Sequence, residues 1–305
     1  MNSLPVRAVR VEVPASTANL GSGFDALGMA LSLHDTVSAR VVDGPAGSAA
    51  VSVVGEGAGS VPEDERHLVV RVVHDTLAEL GFPAPPALEL RCENNIPHSR
   101  GLGSSAAAIV AGLAIAHGLA GTDVRAAEHV ERALHLAAVR EGHADNVAAS
   151  LLGDFVVAWR EADRFRAVSV PAHPEVSPIA FVPQGESATH VTRGLLPEEV
   201  PHADAAFAAG RAALAVQAIT RDPSLLLAAT EDRLHQDYRE PAWPGTVALV
   251  RELRSRGIAA AVSGAGPTVL ALPGKNANAR ECAPAGFAVL DLPVDREGAR
   301  TRVEG

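Results

Sequence analysis

The strongest constraint on this chain is the run Pro97-His98-Ser99-Arg100-Gly101-Leu102-Gly103-Ser104-Ser105-Ala106. It follows an alternating apolar and polar segment, ALELRCE at 87–93, which reads as a strand. It opens an Ala-rich segment that reads as a helix from Ser104 to Leu119, closed by Gly121. Glycines let a backbone come close to a phosphate, the free N–H groups of a first helical turn point at it, and the helix dipole favours negative charge. Ser104 and Ser105 are good N-cap types, and their hydroxyls can bind a phosphate oxygen or a magnesium ion. A Walker loop needs a lysine before the hydroxyl residue, and none is present. A dinucleotide fingerprint is formally met by Gly101, Gly103 and Ala106, with Asp123 at the spacing of the ribose-binding acid, but no strand lies between them. A glycine turn for tight helix packing is the plain alternative. Two serines, an arginine and the strand–loop–helix context favour phosphate.

Composition narrows the partners. A chain of 305 residues is long enough for two lobes, and 47% hydrophobic with 20% charged residues describes an ordered chain. Aromatics are only 3% and the net charge is -10, which argues against nucleic acid and against an acidic membrane surface. The one lysine is Lys275, far from the glycine run, so an anion must be held there by amides, arginines or a metal. Cys92 and Cys282 form no CxxC or disulfide framework, and the start has no apolar signal core. The longest apolar run, Ala106 to Ala116, falls short of the ~20 residues that span a bilayer, so the chain reads as soluble and cytoplasmic.

Strands are expected at 6–13, 36–42, 50–54, 87–93 and 155–159, and helices at 64–80, 104–119 and from Thr122 or Asp123 to about Val139. The stretch PASTANLGSGFDALG reads as a loop of small residues. A lobe boundary is placed after residue 160, giving lobes 1–160 and 161–305. The second half gives a strand near 179–182, the loop SATHVTRGLLP, helices near 203–219, 223–238 and 245–256, and two strands around the turn SGAGP. Strands and helices interleave without regular βα alternation, which points to a two-lobed α+β architecture.

PHSRGLGSSAA resembles the nucleotide loop of the GHMP small-molecule kinases. PASTANLGSGFDALGMAL resembles the N-terminal motif of the homoserine kinases among them, and AVSGAGPTVLAL the C-terminal glycine turn of the superfamily. EGHADNVAAS, THVTRGLLP and LHQDYREP are similar to homoserine kinase segments, and the Gly-Glu-His type segment of galactokinases and mevalonate kinases is missing. The resemblance implies a ribosomal-S5-like N-terminal lobe, a ferredoxin-like C-terminal lobe, and ATP-dependent phosphorylation of the L-homoserine hydroxyl on the route to threonine. Another small alcohol as acceptor, or a regulator that binds nucleotide without turnover, are the alternatives.

The resemblance also implies roles. ATP lies on the segment from Pro97 to Ala107, with Ser104 or Ser105 near Mg²⁺. The family's magnesium glutamate can sit at the position of His135 here, which leaves Glu141 as the carboxylate, with Glu131 as its rival. Asp25, with Asn19 beside it, is placed to accept a hydrogen bond from the substrate hydroxyl. His143 is read as a pocket contact, Asn146 as a partner of the hydroxyl or amine, and Asp145 as a loop cap. Arg193 and Arg239 are the expected clamps for the amino-acid carboxylate, with Arg233 as a rival to Arg239. The catalytic set is thus Asp25, Asn146 and Arg193. The turn Gly264–Pro267 should reach the nucleotide site. Ser22 stands where the family usually has proline and should loosen its loop; Asp154 stands where a second glycine is common. Oligomeric state is left open, a homodimer included.

Overall fold

The computed structural model describes residues 3–82, 86–184, 192–274 and 277–304. In chain order the elements are β1 (Ala8–Ala18), β2 (Leu27–Val42), β3 (Ala49–Gly55), α1 (Leu68–Glu79), β4 (Ala87–Asn94), α2 (Ser104–Leu119), α3 (Val130–Glu141), α4 (Asp145–Leu152), β5 (Phe155–Glu161), β6 (Arg164–Val170) and β7 (Ile179–Pro183). There follow α5 (His202–Thr220), α6 (Leu226–Ala229), α7 (Pro244–Ser255), β8 (Ala259–Val262), β9 (Val269–Leu272), β10 (Phe287–Asp291) and β11 (Arg300–Val303).

Two sheets result. The first has seven strands, β11-β1-β2-β4-β3, with β5 also on β2 and β6 on β5. The second has four, β10-β7-β9-β8. Strand β2 is long enough to serve two partners on one side: Leu27–Met29 pair with β5, and Thr36–Val42 with β4. Its register against β1 shifts between Pro14 and Ala15, where proline has no N–H to give the ladder. The parallel pair β3–β4 is joined through the crossover helix α1, as a parallel connection requires.

Helix α2 is apolar all round and lies between α1 and the first sheet. Glycines make that fit possible: a Cβ on Gly112 would sit 2.6 Å from Val72 of α1, and one on Gly118 3.0 Å from Val9 of β1. A separate apolar cluster, with Phe181, Leu249, Leu253 and Val269, holds α7 to the second sheet. No helix among the described residues is long and apolar enough to cross a membrane.

Several expectations are corrected. The small-residue loop is shorter than expected, since β1 runs through PASTA to Ala18, β2 begins at Leu27, and the turn is confined to 19–26. No helix starts at Thr122: its hydroxyl and N–H bond back to His117, Asp123 caps Arg125, and α3 begins only at Val130. The helix expected at 223–238 stops at Ala229, because the Asp232 carboxylate takes the N–H groups of Leu234, His235 and Gln236 that a helix would have used. The first sheet does not end at residue 160. Strand β6 pairs with β5, and β11 returns from the far end of the chain to pair with β1. Part of the loop 187–197 and Lys275 lie outside the described residues.

Candidate active site

The glycine loop joins β4 to α2, as its sequence context predicts. The helix N-cap is Gly103, at φ 72°, and no side chain caps the helix, so Ser104 and Ser105 stand inside the first turn rather than as caps. The first-turn N–H groups are left for an anion. Both glycines of the loop are also pressed by protein. A Cβ on Gly103 would lie 2.1 Å from Ser16 Oγ, and one on Gly101 2.4 Å from the Ser263 carbonyl oxygen. The phosphate reading and the tight-packing reading therefore describe the same two residues.

The turn 263–266 of the second lobe seats on this loop. Ser263 Oγ lies 2.6 Å from the Gly101 carbonyl, Thr268 N donates to Arg100 O at 3.3 Å, and Gly264 N donates to Ala18 O at 3.1 Å. Asn19 completes the junction. Its Nδ2 donates to Gly264 O at 2.9 Å and its Oδ1 accepts from Asp25 N at 2.9 Å. That amide organises the turn, and Asn19 also lines the cavity, where its second N–H is left to offer.

Two adjoining hollows flank the loop and share Ser99, Ser104 and Ser105. One, about 230 Å³, is lined by Asp25, Glu141, His143, Asn146, Arg193 and Arg239 among others, with Gly264 and Ala265 from the second lobe. The other, about 240 Å³, has an apolar floor of Val61, Pro62, Leu68, Val69 and Ala107 with Cys92 beneath. Nothing in the local sequence marks that second hollow; Val61, Leu68 and Cys92 come from three separate segments. Of the predicted nucleotide residues, Ser99, Gly101, Gly103, Ser104, Ser105, His98 and Ala107 line one or both hollows. Pro97, Leu102 and Ala106 do not, Leu102 and Ala106 being fully buried. Arg100 does not either. Its guanidinium is spent on the carbonyls of His98, Pro183 and Gln184, which ties the loop to the end of β7.

Glu141, at the end of α3, reaches the cavity and accepts a hydrogen bond from Ser105 Oγ at 2.8 Å. Burial raises its pKa, against the lowering effect of Ser105 and of His143. Its rival Glu131 is ion-paired with Arg166, and neither it nor His135 lines the cavity. His135 faces Phe165, with ring centroids 6.3 Å apart. The position at His135 thus lies outside the cavity, and the carboxylate that reaches it is Glu141.

His143 Nδ1 lies 2.9 Å from Asp145 Oδ1, which also accepts from Asn146 N at 2.8 Å. Burial alone would lower the His143 pKa; the Asp145 hydrogen bond and the charges of Asp145, Glu141 and Asp25 outweigh it and raise it. Asn146 Oδ1 accepts from Ser16 Oγ at 3.0 Å, which leaves its NH₂ group as the donor to offer the cavity.

The two arginines differ. Arg193 forks onto Asp25, Nη1 to Oδ2 at 3.0 Å and Nη2 to Oδ1 at 2.9 Å. Arg239 is only 2% exposed, pairs with no carboxylate among the described residues, and has no partner for its Nε. Burial, then the nearby Arg193 charge, lower its pKa to about 10. Its rival Arg233 pairs with Asp204 at 3.2 Å and stacks over Phe207, away from the cavity. Phe24, unnoticed in the sequence, lies 5.6 Å from the Arg193 guanidinium and 5.9 Å from that of Arg239. Ser22 is buried and donates to Ala229 O at 2.8 Å, so it fastens the loop rather than loosening it. Asp154 accepts from Ala172 N at 2.7 Å and has a structural place outside the cavity.

Two lobes, an uncapped helix terminus and a cavity carrying both carboxylates and arginines are the fold and site of the GHMP small-molecule kinases. The models for the GHMP kinases N terminal domain and the GHMP kinases C terminal domain match residues 67–154 and 209–288. The chain is 50% identical over 295 residues to a homoserine kinase of Streptomyces coelicolor, covering 96% of this chain and 94% of that one. It is 47% identical to a homoserine kinase of Clavibacter michiganensis, with 97% and 95% covered. A homoserine kinase structure from Cytophaga hutchinsonii superposes with a TM-score of 0.83 at 26% identity, covering 99% of each chain. The chain belongs to the homoserine kinase family of the GHMP kinases.

Proposed function

We propose that this chain transfers the γ-phosphoryl group of ATP to the side-chain hydroxyl of L-homoserine, in the cytoplasm, on the route to threonine. The observation that carries this is one cavity holding both an uncapped α2 terminus and a buried arginine, Arg239, with no carboxylate partner among the described residues. The first suits a phosphate chain, the second a substrate carboxylate. The relatives at half identity are named homoserine kinases, which supplies the acceptor.

In this reading the nucleoside lies on the apolar floor of the second hollow and its phosphates run past Ser99 to the first turn of α2. Ser104 or Ser105, with Glu141, suits Mg²⁺: a hard cation takes oxygen donors, and the Ser105–Glu141 contact puts a hydroxyl and a carboxylate side by side. Bound there, Mg²⁺ supplies charge neutralisation on the phosphate oxygens. Arg239 and Arg193 hold the homoserine carboxylate, and the Asn146 NH₂ group orients the hydroxyl. Asp25 accepts from the substrate while the Arg193 fork fixes the orientation of its carboxylate. Phosphoryl transfer asks chiefly for alignment and charge compensation, so this set suffices without a dedicated base.

An ADP-release assay with Mg-ATP tests the acceptor. L-Homoserine should turn over far better than mevalonate, galactose or shikimate. Turnover no greater than with those three would remove the assignment.

A further inference from the structure

Arg239 is held by a neutral neighbour. Among the described residues its one side-chain hydrogen bond is from Nη1 to His235 Nδ1. His235 is fully buried, and its Nε2 lies 2.8 Å from the carbonyl oxygen of Gly21. A carbonyl can only accept, so Nε2 carries the proton and Nδ1 presents a bare lone pair to the guanidinium. A second proton on Nδ1 would face the arginine N–H. Burial and the Arg239 charge lower the His235 pKa, in agreement. Asp232, 3.7 Å from Nε2, is engaged by three backbone N–H groups. One face of the imidazole stacks on Phe24, with centroids 5.2 Å apart and planes 29° apart.

We propose that His235 is a positioning residue for the phosphotransfer: its bare Nδ1 sets the orientation in which Arg239 receives the substrate carboxylate, and its Nε2–H ties that clamp to the first loop at Gly21. This rests on the reading of Arg239 as the carboxylate clamp. A neutral acceptor suits the task. A carboxylate in its place would orient the guanidinium but would also pair with it and compete with the substrate. Imidazole orients it and leaves the charge available. Phe24 links the same ring to Arg193, so both arginines are registered against one stacked pair of rings.

The two ring nitrogens can be separated by substitution. Asparagine places its Oδ1 near the Nδ1 position and loses the bond to Gly21. Glutamine places its NH₂ near the Nε2 position and loses the acceptor for Arg239. Under steady-state assay, His235→Gln should raise KM for L-homoserine about tenfold and leave KM for ATP within about twofold, while His235→Asn stays within about threefold of wild type. Added to Arg239→Ala, His235→Gln should raise KM no further, since its effect runs through the missing arginine. An unchanged KM in His235→Gln, equal rises in both single variants, or a full additive rise in the double variant would each overturn the proposal. If Arg239→Ala itself leaves KM for homoserine unchanged, the clamp reading falls and this proposal with it. If Arg239→Ala raises KM and His235→Gln does not, this proposal falls alone.

Discussion

At the scale of single residues, the contrast between Arg193 and Arg239 shows how burial decides what a charge is for. Arg193 is about two-fifths exposed at its side chain and already has a carboxylate on its fork, so replacing it changes a balanced pair. Arg239 is buried and has no such partner among the described residues, which on the proposed reading leaves it for the substrate carboxylate. Arg239→Ala should therefore raise KM for L-homoserine about 30-fold or more, the roughly 2 kcal/mol of a charge-assisted bond, with KM for ATP little changed; steady-state kinetics in both substrates measures this. Glu141 makes a second case. Glu141→Gln keeps an oxygen for Ser105 to donate to but removes the negative charge. It should raise the Mg²⁺ concentration needed for half-maximal rate about tenfold, read from a magnesium titration at fixed ATP. The sequence put Glu141 ahead of Glu131, and the structure brings Glu141 to the cavity. Both sit on α3, and only the helix phase and the Arg166 partner on β6 separate them.

At the scale of elements, two left-handed glycines at helix ends carry unequal demands. Gly142, after α3, has φ 92° and open space where a Cβ would go. Gly103, before α2, has φ 72° and Ser16 Oγ 2.1 Å from that same point. Gly142→Ala should cost about 1 kcal/mol, the left-handed strain alone. Gly103→Ala adds a clash with the buried Ser16–Asn146 pair and should cost about 3 kcal/mol or more, with ATP binding lost as the loop moves. Denaturant unfolding of the two variants beside wild type gives the comparison. The run of small residues around Gly103 was readable as a phosphate loop because strand, glycines and helix follow one another. The broken segment after Ala229 was not, because Asp232 takes backbone donors that periodicity alone assigns to a helix.

At the scale of the whole molecule, buried histidines contribute to the acid sensitivity of the fold. His117, at the end of the central helix, sits against His129 and is pushed down to about 4, by burial first and the His129 charge second. Burial also lowers His67 and His74. A folded pKa below the unfolded value of about 6.5 means that the unfolded chain binds the proton first. The stability from His117 is thus whole above pH 6.5 and is lost as pH falls towards 4, by about 3 kcal/mol. His143, raised by its acids, runs the other way: its contribution is whole below pH 6.5 and fades as pH rises through its folded value. His117→Asn should flatten the fall in unfolding free energy between pH 6.5 and 4, measured by urea titration at each pH; an unchanged slope would show that His117 contributes nothing to it.

The chain's own order of residues determined what each segment could be. Glycines and serines before an Ala-rich run make an anion-binding helix start, and alternation makes the sheet faces, because those properties are local. Tertiary structure alone decided which of these meet. Strand β11 comes from the last residues to pair with β1, and Gly264 of the second lobe settles on Ala18 and Asn19 of the first. Arg239 is a buried cavity residue and Arg233 a surface ion pair for the same kind of reason. Their side chains are alike, and what differs is the desolvation and the company: Arg239 is buried beside Phe24 of the first lobe, while Arg233 meets Asp204 and Phe207 of the nearby α5.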